Sequence, residues 1–166
     1  MSDQGVVWGN KDVLWESSIM PLLQDNLQRR YKMTDTLSIT SSQSQDNVNI
    51  TIFHLSGTLD AASEDALCEY AREAFDGGAV SLLLDLNDLE YISSAGLRAL
   101  HNIFKMCTPD EEVKAAREVG EPYKSPYFKL AGASPSVYSV LNIAGFLHNI
   151  PFYPTMDEAL KSFSTK

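Results

Sequence analysis

The chain has 166 residues, 44% of them apolar and 21% charged, a balance that suits a globular protein large enough to bury a core. Its 13 basic and 22 acidic side chains give a formal net charge of −9 with no basic cluster to offset it, which argues against a nucleic-acid surface built on phosphate neutralisation. No apolar run approaches the roughly 20 residues that span a bilayer, and the opening residues MSDQGVVWGNKD lack the basic start and apolar stretch of a signal peptide, so a cytoplasmic protein without a membrane or nucleic-acid partner is expected.

Residues 1–33 read as a separate N-terminal extension. Helical patches (Val13, Leu14 and Trp15, then Leu22, Leu23 and Leu27) are interrupted at Pro21. The section is either an added helix or flexible tail, or a docking segment, because Trp8 and Trp15 are costly to leave in water and could serve self-association. From Thr34 onward two runs of period-two alternation, Leu37 to Ser41 and Val48 to Leu55, predict a β-hairpin with a polar turn around residues 45–47. Gly57 is expected to break the second strand. A helix follows, with Ala62, Ala66, Leu67, Tyr70, Ala74 and Phe75 at helical spacing, and Gly77-Gly78 end it.

AVSLLLDL is a continuous apolar run of the kind found in strands covered on both faces. The carboxylate-rich segment after it, Asp85 to Glu90, is read as a solvated turn leading into an amphipathic helix with Leu97, Leu100, Ile103 and Phe104 on one stripe. Residues 107–126 are charged and punctuated by prolines, which predicts an exposed connection with one or two helical turns. YFKLAGA is the next strand, SPSVYSVLNIAG a short helix with Pro135 near its start and Gly145 near its end, NIPFYP a last short strand, and Thr155 with Glu158 forms a capping box for the final helix. The order β-β-α-β-α-β-α-β-α predicts an α/β fold: a mixed, mostly parallel sheet with an antiparallel pair at its start and helices packed against it.

Catalytic signals are sparse. His54, His101 and His148 have no cysteine or carboxylate at metal-ligand spacing and read as structural or surface residues. Asp85, Asn87, Asp88 and Glu90 could hold a magnesium ion at a strand end, but a solvated turn accounts for them as well. Ser94 lacks a GxSxG context and an identifiable base. Cys68 and Cys107 read as reduced packing residues. No catalytic residue, metal or cofactor is therefore assigned. The adjacent Ser93 and Ser94 at a helix start make better sense as a cap and a modification site, because unpaired N–H groups and a partial positive charge tolerate phosphate there. Two alternatives stay open: a constitutive scaffold in which the serine only caps, and a small enzyme using Ser94 or the Asp85–Asp88 carboxylates.

The blocks GTLDAASEDAL, LLLDLNDLEYISSAGLRAL and KLAGASPSVYSVLNIAGFLHNIPFYPTMDEAL resemble, in that order, the STAS domain typified by bacterial anti-sigma factor antagonists. The resemblance spans about residues 35–163, within a domain placed at 34–166, and its middle block is the specific one. It implies a non-enzymatic module that binds an anti-sigma factor which is also a serine kinase of the GHKL type. Phosphorylation at the helix start ends the binding, and a PP2C-type phosphatase reverses it. The family's loop reads Asp-Ser-Ser/Thr-Gly-Leu; laid over Ile92-Ser93-Ser94-Ala95-Gly96-Leu97, the modified serine falls on Ser94, and Ser93 takes the aspartate position and becomes the second choice. The resemblance also implies a kinase-facing border made by Asp60, Ala61, Asp85, Asn87, Asp88, Ser93, Ser94, Gly96 and the exposed part of the following helix, including Arg98. Residues 1–32 and the long connection 107–126 are additions to the family's small members.

Overall fold

The computed structural model describes residues 31–33, 36–44 and 50–164. The N-terminal patches with Trp8 and Trp15, and the polar turn around residues 45–47, lie outside the described residues. Six strands, β1 (Tyr31–Met33), β2 (Leu37–Gln43), β3 (Ile50–Leu59), β4 (Ser81–Ile92), β5 (Phe128–Ala131) and β6 (Phe152–Tyr153), form one sheet whose order follows the chain. β1, β2 and β3 pair antiparallel, and β3 to β6 pair parallel. The described helices are α1 (Glu64–Asp76), α2 (Ser94–Cys107), α3 (Asp110–Glu118), α4 (Pro135–Ile143) and α5 (Met156–Ser164), with a single 3-10 turn at Phe146–His148. None of them is long and apolar enough to cross a membrane.

The alternation of side chains along the central strands divides the apolar residues between two faces. On one face Phe53, Leu55, Leu82, Leu84, Phe128 and Leu130 meet Leu67 and Tyr70 of α1, Leu100 and Ile103 of α2, and Val137 and Leu141 of α4. Leu97 and Phe104, expected on the buried stripe of α2, pack at its margin. On the other face Ile50, Ile52, Leu83 and Ala131 lie beneath Ala159, Leu160 and Phe163 of α5. Lys129 is buried on that face, its Nζ donating to Ser162 Oγ at 2.8 Å and lying 4.0 Å from the centre of the Phe163 ring; a buried ammonium needs such partners. The Thr155 hydroxyl accepts from the Glu158 N–H at 3.3 Å and starts α5 as the capping pattern predicts.

Three elements differ from the sequence expectation. A further strand, β1, precedes the hairpin. Gly57 does not end β3: with φ at +102° it stands at a register shift against β4, and the chain runs on to Leu59. A side chain at position 57 would collide with the carbonyl of Thr36, which instead accepts from the Thr58 N–H at 2.8 Å. β4 likewise continues past Leu86 to Ile92, so Asp85 to Glu90 form the second half of a strand rather than a turn. The cause is a pair of register shifts: His54 faces Asp85 but Ser56 faces Asp88, and Gly57 faces Leu89 but Thr58 faces Tyr91. Each shift inserts one residue into β4 and breaks the period of two by which a strand is recognised.

His54, read from the sequence as a structural or surface residue, has a carboxylate partner that only the sheet register brings to it. Parallel pairing places it opposite Asp85 on the sheet face that α5 covers only in part. Its Nδ1 lies 2.8 Å from Asp85 Oδ2 and its Nε2 lies 3.0 Å from Ser42 Oγ, so one imidazole ties β2, β3 and β4 together. Burial alone would raise the Asp85 carboxyl, but hydrogen bonds from His54 and Asn87 outweigh it and hold the group below its ordinary value.

α3 buries no residue, which is why apolar periodicity did not announce it. Its first turn is acidic (Asp110, Glu111, Glu112) and Arg117 stands in its last, the arrangement the helix dipole favours. Glu112 anchors it by accepting from the hydroxyls of Tyr123 at 3.0 Å and Tyr127 at 2.8 Å. The Tyr123 phenol is pushed up to about 12, by burial first and then by the Glu112 carboxylate, with the Thr108 hydroxyl acting in the opposite sense.

Gly96, in the first turn of α2, allows that turn to lie directly on the sheet. A methyl group there would come within 2.6 Å of the Leu59 carbonyl oxygen and 2.8 Å of the Ile92 side chain. Replacing Gly96 by alanine should therefore destabilise the fold by about 1–3 kcal/mol through overpacking, measured by urea unfolding; an unchanged midpoint would contradict the close seat. A second outcome concerns pH. A carboxyl with a depressed pKa contributes stability while it is ionised and loses that contribution as pH falls through its folded-state pKa. Asp85→Asn should accordingly be less stable than the wild type at about pH 7, with the difference narrowing toward about pH 3. The same difference at both values would exclude the carboxylate charge as its source.

Candidate functional site

Leu59 and Ile92 are partners at the ends of β3 and β4, so the residues that follow them leave the sheet side by side. Asp60 and Ala61 turn toward α1, and Ser93 and Ser94 turn into α2. The Ser93 N–H donates to the Leu59 carbonyl at 2.9 Å, which extends the pairing by one bond into the loop.

The two serines hold different positions. Ser93 is the N-cap, with extended backbone (φ −92°, ψ 176°), and its hydroxyl accepts from the Gly96 N–H at 3.3 Å. Ser94 is the first residue of the helix, is exposed, and its hydroxyl has no hydrogen-bond partner among the described residues. No acidic residue stands in the first turn of α2, so its partial positive charge is not offset from within the helix.

The neighbouring loop is rigid by its own hydrogen bonds. Asp60 Oδ1 accepts from the Ala62 N–H at 2.9 Å and the Thr36 hydroxyl at 3.2 Å, while the buried Ser63 hydroxyl accepts from the Asp60 N–H at 2.9 Å. Ala61 is exposed at its tip. One turn beyond Ser94, Arg98 makes a two-pronged ion pair with Glu64 at the start of α1, at 2.6 and 2.7 Å. The pair holds the Glu64 carboxyl below its usual value, chiefly through the hydrogen bond from the guanidinium.

Asp60, Ala61, Ser93, Ser94 and Arg98 thus share one end of the sheet. Gly96 lies there too but is buried, seating the helix rather than lining the surface. Asp85 and Asn87 do not share it. With β4 running on to Ile92, they lie roughly 20 Å back along the strand, where Asn87 donates to Asp85 Oδ1 at 2.6 Å. Asp88, opposite Ser56, is exposed and intermediate in position. The sequence reading missed two participants at this end: Glu64, which fixes Arg98, and Tyr91, a large side chain left 56% exposed just before the loop. Only a three-dimensional register shows either.

The cysteines carry no reactive signature. Both are free, and burial pushes the Cys107 thiol up to about 12, its Sγ donating to the Ile103 carbonyl at 3.0 Å.

Residues 41–112 match the STAS domain family model. No curated protein sequence matches the chain. Among solved structures, an anti-sigma factor antagonist from Mycobacterium paratuberculosis is similar at 18% identity with a TM-score of 0.62, over 80% of this chain and 98% of that one. A sulfate transporter family protein from Wolinella succinogenes is similar at 18% identity with a TM-score of 0.50, over 69% of this chain and 84% of that one. At such identities the likeness concerns the fold, and that fold has the ends of β3 and β4 and the start of α2 inside the matched segment. The chain therefore has a STAS-like fold, and its segment 41–112 is similar to the STAS domain family.

Proposed function

We propose that the chain is a regulatory binding module of the anti-sigma factor antagonist type, that its docking surface surrounds the start of α2, and that phosphorylation of Ser94 ends the binding. The observation that carries this reading is the division of labour between the two serines. Because Ser93 already caps the helix, Ser94 presents an exposed, unengaged hydroxyl whose modification leaves the cap intact. A phosphate on it would meet the unpaired N–H groups of the first turn and the guanidinium of Arg98 on the same helix face four residues on. It would also add a charge of about −1.5 to −2 to a surface whose exposed neighbours include Ala61 and Tyr91. A partner seated on those residues faces that charge directly.

In this reading the partner is an anti-sigma factor that is also a serine kinase of the GHKL type, and a PP2C-type phosphatase restores the binding state. The surface consists of Asp60, Ala61, Tyr91, Ser94 and Arg98, with Asp88 at its margin; the unit that binds is the domain from about residue 34 onward.

Mass spectrometry of the protein from its own cells should find phosphate on Ser94 within the peptide that holds both serines. Ser94→Ala should keep its affinity for the modifying kinase and accept no phosphate, while Ser94→Asp should bind at least about tenfold more weakly, a change of about 1.4 kcal/mol. Ser93→Ala should instead lower stability by about 1 kcal/mol while Ser94 is still modified. Equal affinity of Ser94→Asp and wild type, with no phosphate on either serine under growth or stress, would overturn the switch and leave a constitutive binder.

A further inference from the structure

A second site lies at the other end of α2, away from Ser94. The last turns of that helix, α3 and the segment Ala144–Ile150 enclose a cleft of about 420 Å³, within the range of small-molecule sites. We propose that this cleft binds a small organic anion with an apolar body, of the aryl- or alkyl-carboxylate class.

Charge is the first argument. The lining contains Lys105, Arg117 and His101 against a single carboxylate, Asp110, in a chain whose formal net charge is −9. Neither Lys105 nor Arg117 forms an ion pair or hydrogen bond among the described residues. Two cations gathered in one concavity of an acidic protein, and left without partners, attract an anion more strongly than the rest of the surface does. An adjoining cleft of about 470 Å³ shares Val113, Arg117 and Asn149 and adds Glu121, so the anion preference is confined to the first.

The walls are the second argument. Phe104, Val113 and Phe146 supply an apolar lining that a bare inorganic ion would not use. Thr108 is the third. It is 6% exposed, and its hydroxyl, beside the Tyr123 phenol, makes no hydrogen bond of good geometry among the described residues. A buried hydroxyl without a partner is unfavourable, and Thr108 is part of this lining. A ligand oxygen that reached it would satisfy it.

The cleft exists because α3 stands where it does. Glu112 clamps that helix through Tyr123 and Tyr127, and Val113 and Arg117 of α3 then face α2. The segment 107–126 thereby acquires a role of its own, independent of any event at Ser94.

Phenylbutyrate is a suitable probe, with phenylbutanol as its neutral counterpart, each titrated into the full chain and followed by amide NMR shifts. Phenylbutyrate should shift amides of residues 101–117 and 144–150 in a saturable way and bind at least about tenfold more tightly than phenylbutanol. The double variant Lys105→Gln/Arg117→Gln changes two exposed side chains and should keep its melting temperature. It should lose most of the preference for the acid while its affinity for the alcohol is unchanged. No saturable shift up to about 10 mM, shifts centred elsewhere, or equal binding of acid and alcohol would each overturn the proposal.

Discussion

The parallel pairing of β3 with β4, carried to the last residue of both strands, is the constraint on which the site depends. It sets Leu59 beside Ile92, lets Ser93 bond back to Leu59, and brings the loops to α1 and α2 into contact. Gly96 completes the arrangement by admitting the backbone of β3 against the first turn of α2. A cap, an exposed hydroxyl and a fixed guanidinium then follow with little freedom, since each is attached to an element whose position the pairing has determined.

The same pairing explains the His54 chain on the opposite face. Three crossovers, through α1, through α2 with α3, and through α4, link parallel strands that are added in one direction. With the usual right-handed connection, the helices of such crossovers collect on one face. α1, α2 and α4 do so, and among the described residues only α5 covers part of the other. Polar groups can therefore occupy the remainder, and Ser42, His54 and Asp85 join across three strands there.

Where periodicity was intact, the sequence was readable. The apolar run before Leu86, the stripe on α2, the glycines closing α1 and the cap of α5 all appear as their patterns imply. The two inserted residues in β4 destroyed the signal beyond Leu86, so carboxylates belonging to a strand looked like a turn. Gly57 misled for a related reason, since a glycine with positive φ serves a bulge as well as a break. At the site, adjacent residues such as Ser93 and Ser94 could be read directly. Contacts between residues far apart in sequence, Glu64 with Arg98 and His54 with Asp85, required the register of the sheet. α3 was legible only as one or two helical turns in an exposed connection, because polar contacts from two tyrosines hold it and such contacts leave no repeating trace.

A sheet whose spatial order is its sequence order also has a kinetic meaning. No strand must wait for a later one to be inserted between itself and its neighbour, so each can pair as soon as the preceding strand is in place. Closure of each parallel pair spans one helical crossover, and the entropy of that closure grows only slowly with its length. On a ribosome, where domains form as the chain emerges from its N-terminal side, such a sheet can widen strand by strand in the direction of synthesis. The unpaired edge of β4 would then be exposed until Phe128–Ala131 arrives, and the stretch from α2 to Pro126 sets how long that interval lasts.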